Sequence, residues 1–259
     1  MNWPKDRIAG NFARSASTYD LHAQAQQRAA QALLAEVERQ RQHLPPGPVL
    51  EIGCGTGGLS EGLARLLPER EIWFTDLSGE LLAWCRRRLG DGGPQGERLH
   101  WEVLDGEAGP LRSGYALVAS GMALHWCADW AGALRRWLEA LRPGGWLACS
   151  FQEAASFPEW RAQCLCLGLP CTANPFPSLE QVQQVLAGQP GRCWAQEERG
   201  RYASPWDFFR SLKDTGTATS LRGDHLGAGD FRRLMRAWDR ACPAGVELSG
   251  QIGYAAVQR

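Results

Sequence analysis

Apolar residues recur along the first 151 residues in two alternating rhythms. Short apolar runs at 49–52, 70–74, 99–103, 115–119 and 146–151 have the length of buried strands. Stretches of helical spacing lie between them. The clearest places Leu134, Trp137, Leu138 and Leu141 at i, i+3, i+4 and i+7, and is closed by Arg142-Pro143-Gly144-Gly145. Residues 19–42 are rich in Ala, Gln, Leu, Glu and Arg and predict a helix with Leu33, Leu34 and Val37 on its apolar side. Pro45, Pro46 and Pro48 must stop it, because proline cannot continue a helix. Strands alternating with helices predict parallel pairing through right-handed crossovers, hence an α/β fold with a doubly wound, mostly parallel sheet.

After Phe151 the alternation lapses. A Pro-rich turn spans 170–177, and Ser178 with Gln181 forms a capping-box signature ahead of a helix that Gly188 follows. A strand is expected at 193–202. Ser204-Pro205-Trp206-Asp207 reads as an N-cap, a proline at the first helical position and an acid at the third. Asp230 opens a further helix with Phe231, Leu234, Met235 and Trp238 on one face, and 246–257 predicts a last strand. The organisation expected is a single domain over 1–259. It divides into a helical arm at 1–42, a ligand-binding core at 43–151, helical insertions with one core strand at 152–242, placed as a lid, and the final strand within 243–259.

Composition narrows the function. The 259 residues carry 28 Lys+Arg against 28 Asp+Glu, which gives no electrostatic reason to expect a nucleic-acid partner. Met1–Arg7 has no apolar leader core, and no run approaches the ~18 apolar residues of a membrane helix, so a cytosolic location is expected. The nine cysteines include no C-x-x-C pair and no alternation with His at zinc spacing, so no metal is expected.

The strongest chemical signal is Glu51-Ile52-Gly53-Cys54-Gly55-Thr56-Gly57-Gly58, where the first strand should feed a helix. Glycines there let the chain turn tightly and let a ligand touch backbone. Asp76 follows at the end of the second strand, placed for a ribose diol. Gly53, Gly55 and Gly58 also satisfy the dinucleotide pattern G-x-G-x-x-G, so NAD(P) is the competing ligand. Glu51 decides between them: a carboxylate beside the loop repels a pyrophosphate and attracts an ammonium or sulfonium. At about 4 Å and an effective dielectric of about 20, such a pair is worth a few kcal/mol. The sign favours S-adenosylmethionine, which has both cations, a ribose and no phosphate. Asp105 and Gly106 follow the third strand, where an acid can accept from an adenine amino group. Ser120-Gly121-Met122-Ala123-Leu124-His125-Trp126 ends the fourth strand, facing the same crevice.

In this order these residues resemble a class I S-adenosylmethionine-dependent methyltransferase, a Rossmann-like seven-stranded fold. The likeness extends to the malonyl-acyl-carrier-protein O-methyltransferases of biotin synthesis. It is carried by Phe12–Asp20 with His22, Ala23 and Gln26, by Thr75-Asp76-Leu77-Ser78, by Ala123–Asp129, and most specifically by Ser211-Leu212-Lys213-Asp214-Thr215-Gly216-Thr217-Ala218. The resemblance implies S-adenosyl-L-methionine as co-substrate, bound by Glu51, Gly53, Gly55, Gly57, Asp76, Leu77, Asp105, Gly106 and Ser120. It also implies methyl transfer to the free carboxylate of malonyl-acyl carrier protein, or of malonyl-coenzyme A.

A carboxylate is ionised at pH 7 and needs no general base, so the residues expected to matter are those that hold and align it. Lys213 leads, being one of only two lysines; Tyr19 and His22 from the arm and His125 complete the catalytic candidates. Lys213→Ala is expected to lose far more activity than Lys5→Ala. The acidic carrier protein is expected to dock on Arg232, Arg233, Arg236 and Arg240, with Arg86–Arg88 a second basic cluster. Three other readings stay open: a methyltransferase for a small metabolite or quinone precursor, where carbon methylation would use His125 as base; an NAD(P)-dependent oxidoreductase; and a non-catalytic scaffold.

Overall fold

The computed structural model describes residues 5–90, 97–221, 223 and 225–259, and of 20–22 the backbone alone. Seven strands among these form one sheet in the order β3-β2-β1-β4-β5-β7-β6. β1 (Val49–Ile52), β2 (Ile72–Asp76), β3 (Leu99–Val103), β4 (Tyr115–Ser120) and β5 (Leu141–Gln152) are parallel. β7 (Val246–Gln258) runs antiparallel between β5 and β6 (Gly191–Tyr202). The doubly wound sheet predicted from the alternation is therefore the observed one. Its order reverses between β1 and β4, which opens a crevice beyond their carboxyl ends.

The strands read as continuous apolar runs because both faces are covered. Val49 joins a core with Leu33, Val37, Leu63 and Phe74, under α2 (Gln24–Gln40), α3 (Gly58–Leu66) and α4 (Gly79–Leu89). Leu50 and Ile52 join the opposite core with Trp137, Leu147 and Val182, under α5 (Trp130–Ala140) and α7 (Leu179–Val185). A third apolar cluster lies off the sheet. There α6 (Pro158–Cys166), α8 (Pro205–Asp214) and α9 (Ala228–Ala241) bring Trp160, Phe208, Leu234 and Trp238 against Val246 and Leu248 of β7.

Local chemistry set several boundaries as expected. Ser178 and Gln181 make a reciprocal capping box, and Ser204 accepts from the Asp207 amide with Pro205 at the first turn. Other boundaries moved. The helix predicted at 19–42 is two helices, α1 (Lys5–His22) and α2, broken at Ala23, whose φ −91° and ψ 39° are not helical. β2 begins two residues late, and α9 begins at Ala228 rather than at Asp230. α6 was invisible in the pattern because Trp160 and Cys164 are its only buried residues while Leu165 is 81% exposed.

Candidate active site

The chain leaves β1 into a tight turn in which Gly53, Gly55 and Gly57 have φ of +73°, +55° and +91°. A Cβ on Gly53 would lie 2.6 Å from the Ala123 Cβ, so the turn also requires glycine for space. Asp76 holds the turn in place: its Oδ2 accepts from the Gly55 amide at 2.9 Å and its Oδ1 from the Ser78 amide at 2.8 Å. Burial raises the Asp76 carboxyl above its ordinary range, against those backbone donors.

Two cavities open at the carboxyl end of the sheet. The smaller, about 160 Å³, is walled by Gly53, Gly55, Asp76, Leu77, Asp105, Gly106 and Gly121, and is covered by Lys5, Ile8 and Ala9 of α1. The larger, about 970 Å³, is walled by Trp160, Phe176, Trp206, Phe209 and other aromatic side chains, with Arg210 and Lys213 of α8. Phe12, Tyr19, Met122 and Trp126 line both, so the cavities adjoin. Met122 has φ +56°, a strained conformation for a side-chain-bearing residue, and its amide donates to the Ser150 carbonyl at 3.0 Å.

Most of the residues expected to hold the small ligand line the smaller cavity, but three do not. Gly57 caps the start of α3 instead, with Cys85 against it. Ser120 is fully buried in β4, and its Oγ has no partner among the described residues; its neighbour Gly121 takes the place in the wall. Glu51 is 1% exposed and sits behind the loop, on the α3 and α4 side. The alternation of β1 sends it there, whereas the sequence argument placed it beside the ligand. Burial pushes its carboxyl well above the usual range, the nearby Cys85 and Asp76 add to this, and a hydrogen bond from Ser60 opposes it. Its Oε2 has no partner among the described residues. A cation bound beyond the loop would draw this acid toward ionisation.

Among the catalytic candidates, Tyr19, His125 and Lys213 line the larger cavity, whereas the side chain of His22 lies outside the described residues. His125 is buried, and desolvation lowers its pKa to about 3. Its Nδ1 accepts from the Gln152 amide at 3.1 Å, which places the imidazole proton on Nε2. A neutral ring in that tautomer donates a hydrogen bond and is a poor base. Lys213 is exposed at the rim, with no carboxylate partner among the described residues. Lys5, the other lysine, is not the inert comparator that the sequence makes of it: its Nζ lies 2.7 Å from Asp105 Oδ2 and 2.7 Å from Glu107 Oε2. Sequence reasoning did not single out Lys5 or Phe12 as wall residues, and placed Met122 only within the segment 120–126 that faces the crevice. The apolar-helical pattern of α1 is the one signal that could have pointed to the first two.

Of the two basic clusters, Arg232, Arg233, Arg236 and Arg240 are exposed on α9, away from its buried Leu234, Met235 and Trp238. The second cluster is occupied: Arg86 lies over Trp101, Arg87 over Trp84, and Arg88 pairs with Glu61.

Among the described residues no group of His, Cys, Asp or Glu is arranged to hold a metal, and no helix is long and apolar enough to cross a membrane. A family model described as a methyltransferase domain matches residues 50–147. The chain is 35% identical to a malonyl-[acyl-carrier protein] O-methyltransferase of Magnetococcus marinus, over 89% of this chain and 84% of that protein. It is 34% identical to the biotin biosynthesis bifunctional protein BioCD of Bordetella avium, over 92% of this chain, and spans 50% of that longer relative. Its fold is similar to that of YcgJ from Bacillus subtilis, with TM-score 0.60 and 15% identity over 88% of this chain and 98% of that one. The chain belongs to the malonyl-[acyl-carrier protein] O-methyltransferase family.

Proposed function

We propose that the protein transfers a methyl group from S-adenosylmethionine to the free carboxylate of malonyl-acyl carrier protein, giving the methyl ester used in biotin synthesis. One observation carries the reading. A small cavity walled by glycine backbone and by Asp76 and Asp105 adjoins a large aromatic one with the exposed Lys213 ammonium at its rim. The acids suit a cationic nucleoside and oppose a pyrophosphate. The larger space accommodates an acyl thioester with the arm that tethers it.

The reaction is an in-line displacement. A carboxylate oxygen forms the new bond to the methyl carbon, and the electrons of the breaking carbon–sulfur bond go to sulfur, leaving a neutral thioether. The nucleophile, with a reference pKa near 4, is already ionised. The protein has to align it, exclude water and hold it. Lys213 supplies the countercharge, and the Nε2–H of His125 offers a donor. With Nδ1 engaged, His125 is unsuited to the proton abstraction that carbon methylation would need. Phe12, Tyr19, Met122 and Trp126, shared by both cavities, surround the point of transfer. The exposed arginines of α9 receive the acidic carrier protein; this helix begins beside Phe231, which lines the larger cavity and packs against Trp206 and Phe209. We place the reaction in the cytosol, where nine unpaired thiols stay reduced.

Incubation with methyl-labelled S-adenosylmethionine and malonyl-acyl carrier protein, followed by intact-mass analysis, is the test. A methyl ester on the malonyl group is expected. Donor binding without transfer to that acceptor overturns the acceptor, and absence of donor binding overturns the whole reading.

A further inference from the structure

Helix α1 closes the smaller cavity, yet little apolar burial holds it there. Of its residues with described side chains, only Ile8 and Ala16 are buried, whereas the similarly long α2 buries Ala29, Leu33, Glu36 and Val37. Its first turn is held by charge. The Lys5 ammonium bridges Asp105 Oδ2 and Glu107 Oε2, each at 2.7 Å. Burial disfavours this ammonium, but its hydrogen bond to Asp105 and its ion pair with Glu107 outweigh it and hold the lysine above its ordinary pKa. Farther along, α1 reaches the lid: Asn11 Nδ2 donates to Thr219 Oγ1 at 2.5 Å, and Ser15 Oγ to the Lys213 carbonyl at 3.2 Å. Gly216, at φ +71°, lets the chains approach, since a Cβ there would lie 2.9 Å from the Asn11 carbonyl oxygen. The same helix carries Phe12 and Tyr19 into both cavities.

We propose that Lys5 is a positioning residue: its ammonium latches α1 over the donor cavity, and the closed latch completes the wall that the two cavities share. The latch sits on the ligand's own carboxylate. Asp105 Oδ1 accepts from the Glu107 and Ala108 amides, which leaves Oδ2 for both the ammonium and a ligand amino group. Exchange of donor and product therefore requires the ion triad to open. The inference rests on the donor assignment above and adds to it the step that controls exchange.

The test measures release of S-adenosylhomocysteine by rapid displacement with excess S-adenosylmethionine, in the full chain and in Lys5→Met, Glu107→Gln and the double variant. Gln at 107 keeps an acceptor for the Asp129 amide, which Glu107 now receives at 2.7 Å. Each single variant is expected to release roughly five- to tenfold faster, the double variant no faster than the faster single, and Lys5→Arg nearer to wild type. Amide exchange over residues 5–16 of the ligand-free protein should accelerate in Lys5→Met. A wild type that binds neither nucleoside overturns the donor assignment and the latch with it. A wild type that binds, with release and amide exchange unaltered in Lys5→Met, overturns the latch alone. Rates that multiply in the double variant also overturn it, because Lys5 and Glu107 would then act independently.

Discussion

The smaller cavity takes its walls from backbone and strand ends, and the larger takes them from side chains on inserted helices. In the first, Gly53, Gly55 and Gly106 bring main chain to the cavity surface, and Asp76 is fixed by two amides. In the second, Trp160, Phe208 and Phe209 pack edge to face on α6 and α8, and the charged groups stand at the rim. A backbone wall tolerates few substitutions, because a Cβ on Gly53 or Gly106 would collide with Ala123 or Ile52, and Gly55 holds a left-handed φ of +55°. A side-chain wall can be repacked, and its specificity rests on a few polar groups. The two halves should therefore fail differently when altered.

The largest effect is expected at the backbone wall. Gly53→Ala combines a left-handed conformation with a 2.6 Å approach to Ala123. It should destabilise the fold by about 2–4 kcal/mol and abolish donor binding, read by denaturant unfolding and calorimetry. A Gly53→Ala protein of normal stability and affinity would erase the contrast between the halves. Lys213→Ala, on the side-chain wall, should lower turnover of malonyl-acyl carrier protein about a hundredfold while donor affinity stays unchanged. Parallel losses of both would place Lys213 in the folding of the lid instead.

Glu51→Gln sharpens the comparison from behind the loop. It should weaken donor binding by about tenfold without destabilising the ligand-free protein, because a buried, partner-poor acid costs stability when ionised. Calorimetry in buffers of different ionisation heat should show wild type releasing a proton on binding and Glu51→Gln releasing less.

His125 predicts a pH effect on stability. Its folded pKa of about 3 lies below the unfolded value near 6.5, so the unfolded chain binds the extra proton as pH falls. Wild type should lose stability between about pH 6.5 and 3, at up to about 1.4 kcal/mol per pH unit from this group. His125→Asn should lose less, as read by urea midpoints from pH 7 to 4. The smallest effect belongs to the surface: Arg232→Ser with Arg236→Ser should raise KM for carrier protein a few-fold at low salt and converge with wild type at high salt, while donor KM is unmoved.

Much of the smaller cavity was legible because its determinants are local. The glycine turn, the acid ending β2 and the capping residues Ser178 and Ser204 act through neighbours a few positions away. Periodicity located five parallel strands for the same reason. The larger cavity was less legible. α6 has no apolar stripe, and the break at Ala23 frees α1 to pack against α4 and α8 over the smaller cavity, which no local preference at Ala23 announces. Glu51 was argued from its adjacency to the glycines, and the structure sets it behind the loop rather than in the cavity wall. In a strand, adjacent side chains point to opposite faces.

The amino-acid sequence by itself determined the sheet and the glycine turn that walls the smaller cavity, since short-range sterics and hydrophobic period act before any tertiary contact forms. Only the folded molecule decided that Lys5 meets Asp105 and Glu107, that Ser120 and Glu51 leave the cavity wall, and that His125 turns Nδ1 to the backbone. These pairings join positions far apart in the chain, and their energies depend on burial and distance, which exist only after the layers have packed.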